Sequence, residues 1–403
     1  MVVLISGFFG PQDASRNFSV FLTWGLLWPA IVLSWFFVGR MWCGICPFPG
    51  FGTFLQHKGW SFNLKVPKIL QKYGVYTSVI LLAVIIWAEV VASLDHSPAG
   101  TSILVSAIVA GAALLGILFK GQAWCRHLCP LGRISGAAAT LAITEFRSNY
   151  QRCRGCTTFA CQRGEKEKGT RGCPVYLGAY SVKNNLHCLV CGHCLPNCDR
   201  DAPQFLLRNP YSELIRNKGR YITCTYIVPF LIGSQLARFL WYQGNIQNYG
   251  ISFGSDAMDF SVFLLLGFIV VMAGIKFGNK LLGITVDPVF GKFSPMVPIL
   301  IPMAFTGELV YRMGFLAKGI GDFIPTIGRQ FNISFLERFF FTIPDFPVQI
   351  LSAFFMLNGA IAGCYILWRF CLEDFEGVIK LRNFIGLNIL IAIFLMAYIT
   401  VIF

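Results

Sequence analysis

Residues 18–47 read FSVFLTWGLLWPAIVLSWFFVGRMWCGICP. No charged side chain falls between Phe18 and Gly39. A helix that crosses the hydrocarbon of a bilayer needs roughly 20 apolar residues, and this run supplies them before Arg40 is reached. Trp42, Cys43, Cys46 and Pro47 follow within a few residues. An apolar span that ends in a pair of thiols raises two questions, how many such spans there are and what the thiols hold.

Comparable apolar runs lie at 74–94, 101–119, 221–240, 259–275, 294–313, 347–368 and 383–403, which makes eight expected spans. Pro295, Pro298 and Pro302 predict that the run at 294–313 is a broken helix. A further apolar piece at 136–144 is too short to cross and is expected at the surface or in the core. The first run lacks a basic lead and a small-residue cleavage site, so it is expected to stay as a span. Of the 403 residues, 55% are apolar and only 13% charged, about half the charge of an ordinary soluble domain. Disordered chains, coiled coils and conventional soluble enzymes are excluded. The expected fold is an all-α polytopic membrane protein with about eight transmembrane helices.

Charge sets the orientation. The chain carries 33 Lys and Arg against 19 Asp and Glu. Nucleic-acid binding is one source of such an excess, but here the cations gather in particular loops. Arg40, Lys58, Lys65, Lys68 and Lys72 occupy 40–73, and Lys120, Arg126 and Arg133 occupy 120–135, with no acid in either stretch. The opposite loops hold Asp95 and Asp256. The positive-inside bias then puts both termini outside and the cysteine-rich loops in the cytoplasm, at the inner membrane. No nucleic-acid partner is expected.

Three regions follow: a membrane domain at 1–144, a polar island at 145–220, and a second membrane domain at 221–403 with about five helical segments. The island holds thirteen basic residues, six acidic residues and eight cysteines. A segment of that size rarely supports a core without metal or disulfides. A cytoplasmic setting disfavours disulfides, which leaves metal. Of the fifteen cysteines, Cys224, Cys364 and Cys371 stand apart and read as apolar core residues.

Cys188-x2-Cys191-x2-Cys194-x3-Cys198 is the spacing of a bacterial-type ferredoxin run for a 4Fe–4S cluster. Two-residue gaps wrap the backbone so that three thiolates reach one cubane, while the fourth thiolate serves a second cluster. Cys153, Cys156, Cys161 and Cys173 supply the complementary set. Cross-ligation assigns Cys188, Cys191, Cys194 and Cys173 to one cluster, and Cys153, Cys156, Cys161 and Cys198 to the other. Two features depart from the usual pattern, the long gaps to Cys161 and Cys173 and Asp199 in place of proline after Cys198. A four-cysteine zinc site is the alternative.

Trp42-Cys43-x2-Cys46-Pro47 and Trp124-Cys125-x3-Cys129-Pro130 form a second pair of motifs, each at the end of a span. If those spans pack together, four thiols converge at the membrane surface. They then form a third metal or redox site or an electron-exchanging thiol pair, with structural packing as the alternative. Paired Cys-Pro motifs followed by a two-cluster segment resemble the NapH/NosR-type membrane polyferredoxins, over about residues 18–220. That resemblance implies electron transfer at the cytoplasmic membrane between the quinone pool and a partner oxidoreductase. The five further segments at 221–403 depart from the short plan of that family, and a flavin domain is not visible.

His57, His96, His127, His187 and His193 all lie outside the expected spans, so no bis-histidine haem is expected within the bundle. No phosphate-binding loop is visible. Ionisable groups within spans are costly and hint at function. Glu308, with Arg312 one turn on, and Glu89 are candidates for a quinone or proton site; a structural Glu308–Arg312 pair is the alternative. Arg152, Arg154, Arg163, Lys166, Lys168 and Arg171 form a basic string suited to lipid headgroups or to an acidic redox partner. The expected function is a membrane-bound iron–sulfur electron carrier that works with quinone or other redox subunits. The alternative is an accessory protein that supplies electrons or metal for the maturation of another enzyme.

Overall fold

Long charge-free runs leave the backbone only one economical way to satisfy its own hydrogen bonds, and helices dominate accordingly. A computed structural model of the protein describes residues 2–165, 170–217, 222–242, 253–281, 296–373 and 381–402. The helices are α1 (Val2–Phe9), α2 (Phe18–Val38), α3 (Met41–Ile45), α4 (Gly50–His57), α5 (Lys68–Val91), α6 (Pro98–Leu118) and α7 (Pro130–Ala138). Near the end of the polar island lies α8 (Ser212–Asn217), and after it come α9 (Ile222–Tyr242), α10 (Asp256–Leu281), α11 (Met296–Phe331), α12 (Asp345–Glu373) and α13 (Leu381–Ile402).

Among the described residues, seven helices are long and apolar enough to span a membrane: α2, α5, α6, α10, α11, α12 and α13. The expected span at 221–240 does form a helix, α9, but Ser234, Gln235 and Arg238 lower its apolar content. All three are fully buried, so α9 presents polar groups to protein rather than to lipid. The expected break at 294–313 is also absent from the described part of that run. From Met296 the helix α11 runs for 36 residues with Pro302 and Pro325 inside it. Pro325 has no N–H to offer the carbonyl of Gly321, and the backbone N–H of Phe341 takes that place at 3.4 Å. Residues expected to be a loop from 314 therefore continue the helix to Phe331.

The chain divides into two units, one of residues 1–32, 82–105 and 214–403 and one of residues 33–81 and 106–213. In the first, the helical unit, α11 is the central element: 78% of its apolar window is buried, against 22–44% for the other spans. It packs on α9 and α12. Small residues let backbones approach: a side chain at Gly233 of α9 would meet the Gly267 carbonyl carbon of α10 at 2.6 Å.

The second, the cysteine unit, is built round α7 and the polar island. Of residues 136–144, all but the exposed Ile143 lie in its core, with Ala137, Ala139 and Ala142 fully buried. Strand β1 (Thr144–Ser148) pairs antiparallel with a later strand (Pro203–Leu207), Phe146 opposite Phe205, and so closes the island at its two ends. A two-residue ladder inside the island joins Gly164–Glu165 to Thr170–Arg171. Glu213 ties the closure down by pairing with Arg147 at 3.1 Å, with Arg208, and with the backbone N–H of Asn185 at 3.1 Å.

Candidate metal centres

Proline explains the local shape of both Cys-Pro motifs. A residue before proline is driven out of the helical region, and Cys46 and Cys129 have ψ of 128° and 114°. Cys129 caps α7, with Pro130 in the first turn where its missing N–H costs nothing, and its Sγ accepts from the Gly132 N–H at 3.3 Å. The two motifs differ by one residue between their cysteines. That extra residue is taken up by a π-helical turn at Trp124–Leu128 where the first motif has the α-helical α3.

The four thiols of these motifs come together. Cys43, Cys46 and Cys129 act electrostatically on Cys125, and Cys43 and Cys46 act on Cys129. Burial pushes Cys46 up to about 11 and Cys129 up to about 12. A bound metal would convert such thiols to thiolates. The His127 imidazole, between two of them, is pushed down to about 4 by burial and by Arg126 and Arg133, so it is neutral.

The island's eight cysteines fall into two sets. Cys188, Cys191 and Cys173 act on Cys194, and these four thiols line one cavity together with Phe146, Leu177 and Val182. Cys198, Cys161 and Cys156 act on Cys153, and Cys198 and Cys156 act on Cys161. Residues in the left-handed region, Val190 (φ 53°) and Gly192 (φ 75°), alternate with the cysteines and turn the chain round the cavity. A β-branched valine there is strained, and such strain persists only where the surroundings enforce it. The core of this region is itself made of Cys188, Val190, Phe146, Ala179 and Val182, with Cys161 and Cys194 at its margin.

Among the described residues, no three His, Cys, Asp or Glu side chains are grouped so as to hold a single metal ion. Tetrahedral zinc at about 2.3 Å from each sulfur would draw its thiols to one point. Four thiols are the donor set of a 4Fe–4S cubane as well as of zinc, and each set of cysteines supplies that number.

The sets adjoin one another. A side chain added at Gly44, between Cys43 and Cys46, would meet the Cβ of Cys191 at 2.8 Å. Gln122 donates from its backbone to the Pro174 carbonyl at 3.1 Å, and Arg126 donates to Val175 at 3.3 Å, just after Cys173. The Cys173 N–H in turn donates to the Cys161 carbonyl at 3.1 Å. Arg152, Arg154, Arg163 and Arg171 of the basic string are exposed. Lys166 and Lys168 lie outside the described residues.

Glu89 and Glu308, far apart in sequence, meet in the helical unit. Arg312 grips both oxygens of Glu89 at 2.6 and 3.1 Å and Glu308 at 2.9 Å. Arg238, which the sequence reading passed over, donates to Glu308 at 2.7 Å and lies over the Tyr311 ring. A lone arginine in an apolar helix was the signal that could have found it. An apolar crevice of about 310 Å³ lies between α11 and α12, lined by Met313, Ala317, Ile320, Val348 and Phe355. By helical spacing its lining faces about a third of a turn away from Glu308 and Arg312.

A family described as a 4Fe-4S binding domain matches residues 20–64 and 102–141. Those residues contain both Cys-Pro motifs and exclude the island's eight cysteines, so the match falls on the set that the sequence reading ranked lower. The uncharacterized protein MJ0749 of Methanocaldococcus jannaschii is 27% identical over 183 residues, which cover 44% of this chain and 68% of that protein. YccM of Escherichia coli (strain K12), provisionally named an electron transport protein, is 29% identical over 136 residues, a third of each chain. No solved structure matches the chain. The family match supports iron–sulfur cluster binding by the residues that it covers.

Proposed function

We propose that the protein relays electrons at the inner membrane through three iron–sulfur sites held in series by its cysteine unit. Cys43, Cys46, Cys125 and Cys129 hold one cluster. Cys173, Cys188, Cys191 and Cys194 hold the second, and Cys153, Cys156, Cys161 and Cys198 the third. When bound, such clusters supply one-electron transfer. The protein's part is to fix their order. Gly44 against Cys191 supports direct succession of the first two, and that contact is the observation that carries the proposal.

The order also runs from buried to exposed. Cys129 and Cys188 are buried, whereas the segment holding Cys153 and Cys156 carries exposed Arg152 and Arg154, with exposed Arg200 following Cys198. Arg200 braces that segment by donating to the Arg154 carbonyl at 2.7 Å. An acidic redox partner would dock there, with electron flow toward or from quinone or a partner oxidoreductase subunit at the membrane. If quinone is that partner, the apolar crevice of α11 and α12 suits its ring and tail better than the charge-locked Glu308 and Glu89.

The test is iron and acid-labile sulfide analysis with electron paramagnetic resonance on the purified protein. Three clusters require about twelve irons and two require about eight. Replacing Cys43→Ser and Cys125→Ser together should remove about a third of the iron and one spectral component. An unchanged iron content in that double variant, or zinc in place of iron, would overturn the assignment.

A further inference from the structure

Arg40 follows the first span and is 4% exposed. Its guanidinium donates from Nη1 to the Leu186 carbonyl at 2.8 Å, while Nε and Nη2 have no hydrogen-bond partner. Among the described residues no Asp or Glu pairs with it. An unpaired buried cation costs several kcal/mol, so its persistence calls for a compensating anion.

The neighbours make the demand sharper. Arg133 is also buried, 8% exposed, and the positive charge of Arg40 together with burial holds it down to about 10. Two cations are thus kept side by side. Glycines at adjacent turns of α7 open the slot that receives Arg40. A side chain at Gly132 would meet Arg40 Nη2 at 3.0 Å and the Cys125 carbonyl at 3.3 Å, and one at Gly136 would meet Nη1 at 3.5 Å. The positive charge of Arg40 lies close enough to act on both Cys125 and Cys129.

We infer that Arg40 is the built-in counter-ion of the cofactor held by Cys43, Cys46, Cys125 and Cys129, and that it raises the reduction potential of that site. The inference rests on the proposed assignment of those four thiols. A cubane bound by four thiolates is anionic when oxidised and gains one more negative charge when reduced. A fixed cation with two free N–H groups stabilises the more negative form, with no proton taken up. One electron leaves the neighbouring site at Cys173, Cys188, Cys191 and Cys194 as one arrives here. The position of Arg40 therefore makes the Cys-Pro site the lower-energy place for that electron.

Redox titration of the full-length protein, followed by electron paramagnetic resonance, tests this with Arg40→Met and Arg40→Lys. The signal is first assigned as the one lost in the Cys43→Ser, Cys125→Ser double variant. At the potential where half of this site is reduced in the parent, Arg40→Met should lower the reduced-to-oxidised ratio about tenfold, equivalent to about 59 mV for a one-electron couple. Arg40→Lys, which keeps the charge, should stay within about threefold of the parent, equivalent to about 28 mV on the same scale. Iron lost from Arg40→Met but kept in Arg40→Lys also supports the inference, because charge then decides retention. A ratio within twofold of the parent in a loaded Arg40→Met protein overturns it, and so does iron lost equally from both variants. If the parent carries no cluster at this site, the assignment of the four thiols falls and the inference with it.

Discussion

Two buried charge clusters, one in each unit of this protein, are balanced in opposite ways, although the cysteine unit also closes its strand pair with the internally balanced Glu213, Arg147 and Arg208. In the helical unit Glu89, Glu308, Arg238 and Arg312 form a closed lattice of two anions and two cations, every one of them 4% exposed or less. Gln235 adds an amide donor to Glu308 at 3.2 Å, and the ring of Tyr311 covers both guanidinium groups. The lattice is neutral in itself, and Arg238 Nη1, which makes no hydrogen bond, still lies 3.8 Å from a Glu89 oxygen. In the cysteine unit, Arg40 and Arg133 are buried beside four thiols, and among the described residues no carboxylate pairs with Arg40. On the proposed assignment of those thiols, the cofactor they hold supplies the anion that Arg40 lacks. A buried charge that is balanced within the protein reads as architecture, and one that is left over reads as an address for a ligand.

The largest consequence of that difference concerns metal removal. If cofactor binding supplies the core that the polar island lacks, as structural metals do for small domains at about 10–16 kcal/mol, the two units should respond differently to iron depletion. Protein from iron-starved cells should be cut by protease within 149–202, while the segments at 222–242, 296–331 and 345–373 stay protected. Equal protection of the island with and without iron would break the comparison, because the thiols would then be ordinary packing residues.

A smaller effect is expected inside the helical unit. Glu308→Gln removes one anion and leaves Arg238 and Arg312 to share Glu89. Breaking one side of a buried ion network costs about 3–5 kcal/mol, read as a lower midpoint in denaturant titration of the detergent-solubilised protein. Adding Arg238→Gln restores charge balance and should recover part of the loss. Iron content and cluster potentials should not move in either variant. A loss under about 1 kcal/mol for Glu308→Gln would show that the lattice is not what holds α9 to α11.

How much of this could be read from sequence follows the same division. Hydropathy exposed the long apolar runs, and at 221–240 it marked a helix, α9, that packs against protein and can carry a buried Arg238 there. Proline content suggested a break near Glu308; the described structure instead keeps α11 continuous, with the carbonyl freed by Pro325 taken up by Phe341. Glu89, Glu308 and Arg312 were visible as anomalies in apolar runs, but their mutual pairing depends on contacts more than 200 positions apart. The cysteine spacings were legible because the wrapping of a loop round a cofactor is a local constraint. Arg40 was visible only as one more cation in a basic loop. Its burial and its slot between Gly132 and Gly136 belong to packing, which no local pattern records.

The smallest predicted effect probes the surface of the helical unit, where charge is neither locked nor left over. His96 lies between α5 and α6, with Nδ1 3.0 Å from buried Asp95. The hydrogen bond and negative charge of Asp95 raise the imidazole above its ordinary value against a partial burial cost. A group whose folded value is raised stabilises the protein fully below its unfolded value of about 6.5, and that contribution is lost as pH rises through the folded value. The ring is 67% exposed, so solvent and salt screen the pair and the contribution is small. The thermal midpoint of the parent should therefore fall slightly more than that of His96→Gln as pH rises from about 6 to about 8. Taking the difference between the two curves removes every other titrating group, including the thiols. The difference should shrink further in high salt, unlike any effect of the Glu308 lattice, which is closed to water. Parallel curves at low salt would mean that Asp95 is neutralised from within the protein, and the surface of this unit would then follow the same rule as its interior.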